Sequence, residues 1–156
     1  MSDERRLSDD EQELWDSFFM MRSRLDKALD LELASDYGVS ISEFEVLVAL
    51  LRVPDRRMRV KELASVLGWE KSRVSHQLTR MVRRDLVERE ACPGDARATN
   101  IHLTSNGRRI IVKAMPGHVA TIRTLFMTPL DEKQRSVLLD VSRLVTRAID
   151  QSGLVK

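Results

Sequence analysis

Two short amphipathic segments joined by a glycine turn, residues 61–67 and 71–84, constrain the fold most strongly. In the first segment Leu63 and Ala64 belong to one helix face, and Gly68 suits the left-handed conformation in which many helices end. The second segment, KSRVSHQLTRMVRR, begins only about three residues later. Two short helices joined by so tight a turn predict a helix-turn-helix.

The second of these helices has two chemically different faces. Its inner face is predicted to hold Val74, Leu78, Met81 and Val82, and its outer face is polar and basic with no acid over residues 71–84. A helix in the DNA major groove needs such a face, with polar side chains for base edges and arginines for phosphates. An ordinary surface helix has the same periodicity but usually mixes its charges. DNA contact is therefore the favoured interpretation.

A hairpin is predicted directly after this helix. Residues 86–90 and 99–103 alternate in the manner of short strands, and CPGDARA lies between them as the tip. A helix-turn-helix followed by a hairpin is a winged helix. Arg97 at the tip is expected to enter the narrow minor groove, and Asp95 to brace its guanidinium.

Two helices are expected before the helix-turn-helix. Ser8 and Glu11 have the spacing of a capping box, which predicts a helix that begins near Asp9 and ends before residues 37–38. A second box of the same kind, Ser42 with Glu45, predicts a short helix that stops before residue 54. Residues 54–58 are expected to turn, and residues 59–60 to be extended.

Two more helices are expected after the hairpin. Thr104 can cap a fifth helix that runs to about residue 126 and bends at Pro116. Thr128 as cap and Pro129 at the first helical position predict the start of a sixth helix. The fold class is therefore mainly α with a small β-hairpin wing.

The first and last helices each carry a long apolar stripe. Leu14, Phe18 and Met21 recur at alternate spacings of four and three in the first helix, as do Val137, Val141, Leu144 and Ala148 in the last. A winged helix of about 60 residues is too small to cover both stripes, whereas a two-fold symmetry mate would bury them. A homodimer is predicted, with its two recognition helices about 34 Å apart on one face of the DNA.

Charge is segregated along the chain. Residues 1–51 carry 5 basic and 13 acidic side chains, whereas residues 52–97 carry 12 and 7 and residues 98–156 carry 9 and 4. The basic part suits a polyanion, and the acidic first helix is expected to lie away from it. The apolar run 46–51 is far shorter than the roughly 20 residues that span a bilayer, so a soluble cytoplasmic protein is expected. A lone cysteine forms no internal disulfide.

At this point the sequence resembles the MarR family of winged-helix transcriptional regulators. The family's wing signature D-x-R, then I-x-L-T-x-x-G, is matched by Asp95, Arg97, Ile101, Leu103, Thr104 and Gly107. The resemblance implies one MarR-like domain, with residues 8–36 and 104–152 forming a homodimer around a DNA-binding region at 40–103. It also implies a pseudo-palindromic double-stranded operator, repression of nearby genes, and release by a small aromatic ligand or an oxidant.

The resemblance also implies particular DNA contacts. Together with the arginines of the predicted outer face, these fall on Ser72, Arg73, Ser75, His76, Thr79, Arg80, Arg83 and Arg84 in the recognition helix and on Asp95, Arg97, Ala98 and Thr99 in the wing. Two positions depart from the family pattern. Ala96 stands where many members have a second basic residue, and His76 where arginine is common, which leaves wing affinity and base preference open.

Other functions are weakly supported by the sequence. His76, His102 and His118 are not paired at helical spacing, and the common hydrolase and nucleotide-binding motifs are missing, so no catalytic residue, metal site or cofactor is predicted. A metal site of Cys92, Asp95 and His102 is an alternative, although zinc ligands are usually grouped more tightly. The main alternative function is a winged helix that contacts another protein instead of DNA.

A sensor site is left open. Trp15, Phe18, Phe19 and Phe44 are candidates for an aromatic effector pocket, and the competing interpretation is that they are core residues. Cys92 is a candidate redox sensor if its thiol pKa lies well below about 8.5; otherwise it is an exposed bystander.

Overall fold

The protein is mainly helical, with a small antiparallel sheet beside the helix-turn-helix, as predicted. The computed structural model describes residues 6–92 and 95–154. Within these ranges, the side chains of residues 92 and 95–98 are not described. In chain order the elements are α1 (Asp9–Tyr37), α2 (Ile41–Leu51), β1 (Arg57–Arg59), α3 (Val60–Leu67), α4 (Lys71–Arg83), β2 (Val87–Cys92), β3 (Asp95–Leu103), α5 (Ser105–Ile122), a π-helical turn (Arg123–Met127) and α6 (Glu132–Ser152). One compact unit ends at His118 and a second begins at Val119.

The start of α1 confirms the first predicted capping box. The Glu11 amide donates to Ser8 Oγ at 3.3 Å, and the Ser8 amide donates to Glu11 Oε2 at 2.8 Å. At the other end α1 includes Tyr37, and Gly38 adopts the left-handed conformation with φ 68°. Only glycine adopts this conformation without strain, which explains why the helix ends there.

The second predicted capping box is wrong by two residues. Ser40 is the N-cap of α2, and its partner is Glu43; Ser42 and Glu45 lie inside the helix. The stretch SISEFE offers the same spacing twice. The earlier box is selected because Asp30 Oδ1 of α1 accepts a hydrogen bond from the Ile41 amide at 2.7 Å, which fixes the start of α2.

The sheet is larger than the predicted hairpin. β1 pairs with β3, so the strand order is β1-β3-β2. Val60, expected to be extended, is instead the first residue of α3. Both hairpin strands also extend further into CPGDARA than predicted, since β2 reaches Cys92 and β3 begins at Asp95.

The last two helices agree in part with the prediction. Thr104 caps α5, because its Oγ1 accepts from the Gly107 amide at 2.9 Å, and α5 continues through Pro116. The predicted start of α6 is wrong: Asp131, not Thr128, is its N-cap. The Asp131 carboxylate and Gln134 form a complete capping box, which satisfies two amides, while Thr128 closes the π-helical turn.

The core joins α2, α3 and α4 to the sheet and to one end of α1. Its fully buried members include Leu33, Leu47, Leu50, Leu63, Leu78, Met81, Ile101 and Ile111. The apolar stripes of the long helices lie largely outside it. Leu14 is 71 % exposed on α1 and Leu144 is 64 % exposed on α6. In the described part of the chain, no helix is long and apolar enough to cross a membrane.

Candidate nucleic-acid interface

The outer face of α4 is exposed along its whole length. This face comprises Ser72, Arg73, Ser75, His76, Thr79, Arg80 and Arg83, and the following residue, Arg84, is also exposed. Val74, Leu78 and Met81 on the inner face are fully buried. Burial of these three side chains fixes the rotation of α4 and directs its polar face to solvent.

One predicted core position on α4 is wrong. Val82 is 39 % exposed, and Gln77 takes its place in the core at 4 % exposure. On a helix of about 3.6 residues per turn, the buried arc is centred between Val74 and Met81, and Gln77 lies inside it whereas Val82 lies at its edge. The buried amide is satisfied because Gln77 Oε1 accepts from Arg80 Nη2 at 2.5 Å.

The turn before α4 positions the first arginine of the outer face. Gly68 is left-handed with φ 62°, and the Trp69 amide donates to the Ala64 carbonyl at 3.0 Å. The Trp69 ring therefore lies at the start of α4, where the Arg73 guanidinium carbon stacks 3.9 Å from the ring centroid. Such stacking restricts the arginine side chain while its edge donors stay available.

Thr79 is engaged within the protein. Its Oγ1 donates to the Ser75 carbonyl at 2.9 Å and accepts from Arg89 Nη2 at 3.1 Å. Arg89 also donates to the Ser75 carbonyl at 3.2 Å. Because Arg89 lies on β2, these bonds connect the first hairpin strand to the middle of the recognition helix, a contact that the sequence pattern did not indicate.

The hairpin is regular up to its tip. Val87 pairs with Leu103 and Ala91 with Thr99, and the register shifts between Ala91 and Cys92. Arg57 Nη2 of β1 lies 3.2 Å from Glu90 Oε2 of β2, across the sheet. Of the predicted wing contacts, Thr99 is half-buried, while Pro93 and Gly94 and the side chains of Cys92, Asp95, Arg97 and Ala98 lie outside the described residues.

The end of β3 is clamped to the turn that follows α4. Thr104 Oγ1 donates to the Asp85 carbonyl at 2.6 Å, and Asn106 Nδ2 donates to the same oxygen at 3.3 Å. Asp85 adopts a left-handed conformation, with φ 54°. The T-x-x-G part of the wing signature thus connects recognition helix, hairpin and α5 in one small junction.

One acid close to this face has a perturbed pKa. Partial desolvation raises the pKa of Glu45, which is an exposed residue, above its ordinary value of 4.5; positive Arg73 opposes this effect and negative Asp26 reinforces it. Glu45 lies on α2, so α4 places one of its arginines within electrostatic reach of this carboxyl.

The four aromatic residues of the candidate effector pocket do not share one environment. Trp15 and Phe18 are neighbours on α1 with ring centroids 6.2 Å apart, and both are exposed, as is Phe19. Phe44 is buried, and its ring centroid lies 4.4 Å from that of His118. At about 1.5 Å per residue, Phe19 lies roughly 20 Å along α1 from Leu33, the α1 residue in the core.

His118 and His102 have partners of their own. His118 Nδ1 lies 3.2 Å from Glu32 Oε2, and both side chains are largely buried. His102 Nε2 lies 4.0 Å from Glu88 Oε2 on the neighbouring strand. Among the residues whose side chains are described, no group of three potential metal ligands forms; the Cys92 and Asp95 side chains of the alternative metal site are not among them.

The helix-turn-helix and the three-stranded sheet define a winged-helix protein. A family model described as MarR family matches residues 37–98. AbsC from Streptomyces coelicolor, a MarR family transcriptional regulator, is 32 % identical with a TM-score of 0.87, over 94 % of this chain and 98 % of that one. The chain therefore belongs to the MarR family of transcriptional regulators.

Two further relatives resemble the chain over most of its length. Sco3205 from Streptomyces coelicolor, a MarR family regulator whose structure is in complex with DNA, is 32 % identical with a TM-score of 0.87, over 92 % of this chain and 89 % of that one. The transcriptional repressor YetL of Bacillus subtilis is 26 % identical over 122 residues, which are 78 % of this chain and 72 % of the relative.

Proposed function

We propose that the protein is a homodimeric repressor that binds a pseudo-palindromic operator in double-stranded DNA. The observation that carries this proposal is the outer face of α4, which is exposed, free of acids and aligned by a fully buried inner face. In this arrangement residues 40–103 bind DNA, and residues 8–36 and 104–152 form the dimer. The proposal is supported by the similarity of this chain to Sco3205, whose structure is in complex with DNA, and to the repressor YetL.

The recognition helix inserts its N-terminal half into the major groove. The short polar side chains of Ser72, Ser75 and His76 contact base edges. The longer side chains of Arg73, Arg80 and Arg83 bind phosphates. Arg97 of the wing enters the adjacent minor groove. Thr99 is half-buried and pairs with Ala91 of β2 at the base of the tip.

The dimer buries the exposed stripes of the long helices. Apolar side chains on α6 that are about half exposed include Val137, Val141, Leu144, Val145 and Ile149. A monomer with such a continuous apolar face would associate or aggregate in water. Two-fold pairing buries the stripe and presents two recognition helices to successive turns of one DNA face.

Release from DNA involves the exposed aromatic pair on α1 or the thiol of Cys92. A small aromatic ligand stacks on the neighbouring rings of Trp15 and Phe18 once the dimer covers them. The W69F variant leaves Trp15 as the sole tryptophan, so a change in its fluorescence on addition of phenol, excited at a wavelength that phenol does not absorb, reports binding there. A C92S variant that loses oxidant-induced release from DNA would establish the redox route instead.

The central test is a binding titration of the wild-type protein. A labelled duplex selected from random DNA by the protein is titrated by fluorescence anisotropy at several salt concentrations. We expect tight, saturable binding whose log Kd rises steeply with log salt, because each neutralised phosphate contributes a slope of about 0.9. Failure to select any duplex, or a flat salt response, would favour a protein-contact module.

A further inference from the structure

We infer that Arg84 is a positioning residue, which holds the recognition helix at the α1–α2 junction instead of neutralising a DNA phosphate. This inference rests on the proposed DNA binding, and it reassigns one of the arginines that the sequence pattern grouped with the outer face. Arg84 follows the last residue of α4, where the chain leaves the helix. It is the geometry of its guanidinium that separates it from Arg80 and Arg83.

The Arg84 guanidinium is bound by three acceptor atoms from two other helix ends. Nη1 donates to Glu43 Oε1 and Oε2, each at 2.7 Å, and Nη2 donates to the Gly38 carbonyl at 2.5 Å. Glu43 belongs to the first turn of α2, and Gly38 caps α1 in the left-handed conformation. One side chain therefore connects the end of α1, the start of α2 and the end of α4.

The partner carboxylate has little freedom. The Glu43 side chain is 6 % exposed, and its Oε2 also accepts from the Ser40 amide at 2.9 Å as part of the α2 capping box. A carboxylate that is buried to this extent is tolerated because it is paired with a cation and fully hydrogen-bonded. Arg84 supplies that cation, and its own side chain is 46 % exposed.

Two of the three helix ends that meet at Arg84 also favour its position electrostatically. The carbonyl ends of α1 and α4 carry partial negative charge, which attracts a guanidinium. The Gly38 carbonyl belongs to the left-handed residue that ends α1, and the hydrogen bond from Arg84 occupies it. A phosphate would have to displace these short charge-assisted bonds, whereas the described partner of Arg80 is the neutral amide of Gln77.

Loss of this contact would loosen the C-terminal end of the recognition helix relative to α1 and α2. Base contacts require the helix to sit in the groove at a defined angle, whereas phosphate attraction tolerates a looser fit. Specific affinity would therefore fall more than non-specific affinity. The number of phosphates neutralised, and hence the salt slope, would not change.

The test compares five variants with the wild type on the selected duplex and on a scrambled duplex, by anisotropy over 50–300 mM salt. R84Q and E43Q are expected to weaken specific binding by roughly tenfold each, with unchanged salt slopes and smaller effects on the scrambled duplex. The R84Q/E43Q double variant should be no weaker than either single variant, since both remove one contact. R83Q is the matched control, and its slope should fall by about 1.8, because the dimer loses two phosphate contacts that contribute about 0.9 each.

R84K tests the inference in a variant that is expected to fold, because lysine retains a cation beside the buried Glu43. A lysine reaches a phosphate as well as arginine does but cannot bind both carboxylate oxygens and the Gly38 carbonyl in one plane, so R84K should behave like R84Q. The inference is overturned if R84K binds like the wild type while R84Q, present twice in the dimer, loses about 1.8 in slope, or if E43Q leaves specific affinity unchanged. A wild-type protein that selects no duplex would instead refute the proposed function.

Discussion

Gly107 packs directly on the backbone carbonyl of Leu86, so closely that a Cβ at position 107 would overlap that oxygen. The Thr104 amide donates to the same carbonyl at 3.3 Å. Because Leu86 leads into β2 and Gly107 belongs to the first turn of α5, this contact determines how the hairpin meets α5. It gives a physical reason for glycine at the end of the T-x-x-G signature.

Substitution G107A should destabilise the protein. The obstacle is backbone and cannot move away by a rotamer change, so we expect a loss of about 1 to 3 kcal/mol in the free energy of unfolding. Urea denaturation at fixed protein concentration measures it. The control S105A lies two residues away on an exposed helical position and should change stability by less than about 0.5 kcal/mol. Equal stabilities of the two variants would contradict the close contact.

The fold was predictable wherever the decisive signal was local. The Ser8–Glu11 box, the glycine that ends α3 and the apolar period of α4 each depend on residues within one or two helical turns. All three are confirmed, apart from Val82 on α4. The misplaced start of α2 has a different cause. Two identical serine–glutamate spacings overlap there, and the choice depends on Asp30, eleven residues before the amide that it binds.

The sequence predicted which face of α4 is exposed, but not the role of each residue on that face. Periodicity correctly separates the buried and exposed faces of α4, apart from Val82 and Gln77. It carries no information on which exposed arginine has an internal partner: Arg84 binds Glu43, 41 residues earlier, and Arg89 reaches Thr79 from another element. Such contacts depend on tertiary packing, which a pattern within one helix does not encode.

A charge on the α6 stripe should break the proposed dimer. We expect L144D to sediment at the protomer mass of 17.9 kDa, and the wild type at twice that mass, because a buried carboxylate at a two-fold interface is present twice and unpaired. T146D is the control, since it adds the same charge on another side of α6. A wild-type protein that sediments as a monomer at micromolar concentration would contradict the dimer.

The raised pKa of Glu45 predicts a pH-dependent effect of E45Q. A carboxyl with a raised pKa binds its proton more tightly in the folded chain, so its contribution favours folding below pH 4.5 and is lost as pH rises through the folded-state pKa. E45Q should therefore be more stable than the wild type at pH 7, and the difference should shrink towards pH 4. Urea denaturation at both pH values measures this.

The control for E45Q is E13Q, which removes the same charge at an exposed position on α1. Its effect on stability should vary less between pH 4 and pH 7 than that of E45Q. An E45Q variant that is less stable than the wild type at pH 7 would show that attraction to Arg73 outweighs the partial desolvation of the carboxyl.

Arg97 in the wing provides a separate test of DNA binding. If its guanidinium occupies the minor groove, R97A should weaken operator binding by about 1 to 3 kcal/mol without lowering the free energy of unfolding. R22A removes one positive charge from exposed α1 and should leave DNA affinity nearly unchanged. An R97A variant that binds the operator like the wild type would refute the minor-groove assignment.

A substitution at Thr79 tests whether this residue supports the recognition helix or contacts a DNA base directly. T79V keeps the shape of the side chain but removes the hydroxyl that donates to Ser75 and accepts from Arg89. Since the lost bonds lie within the protein, we expect affinity to fall by about 0.5 to 1.5 kcal/mol on every duplex of a single-substitution panel, with an unchanged order of preference. T79S keeps the hydroxyl and should stay closer to the wild type. A preference that changes at one base pair in T79V alone would instead identify Thr79 as a direct base contact.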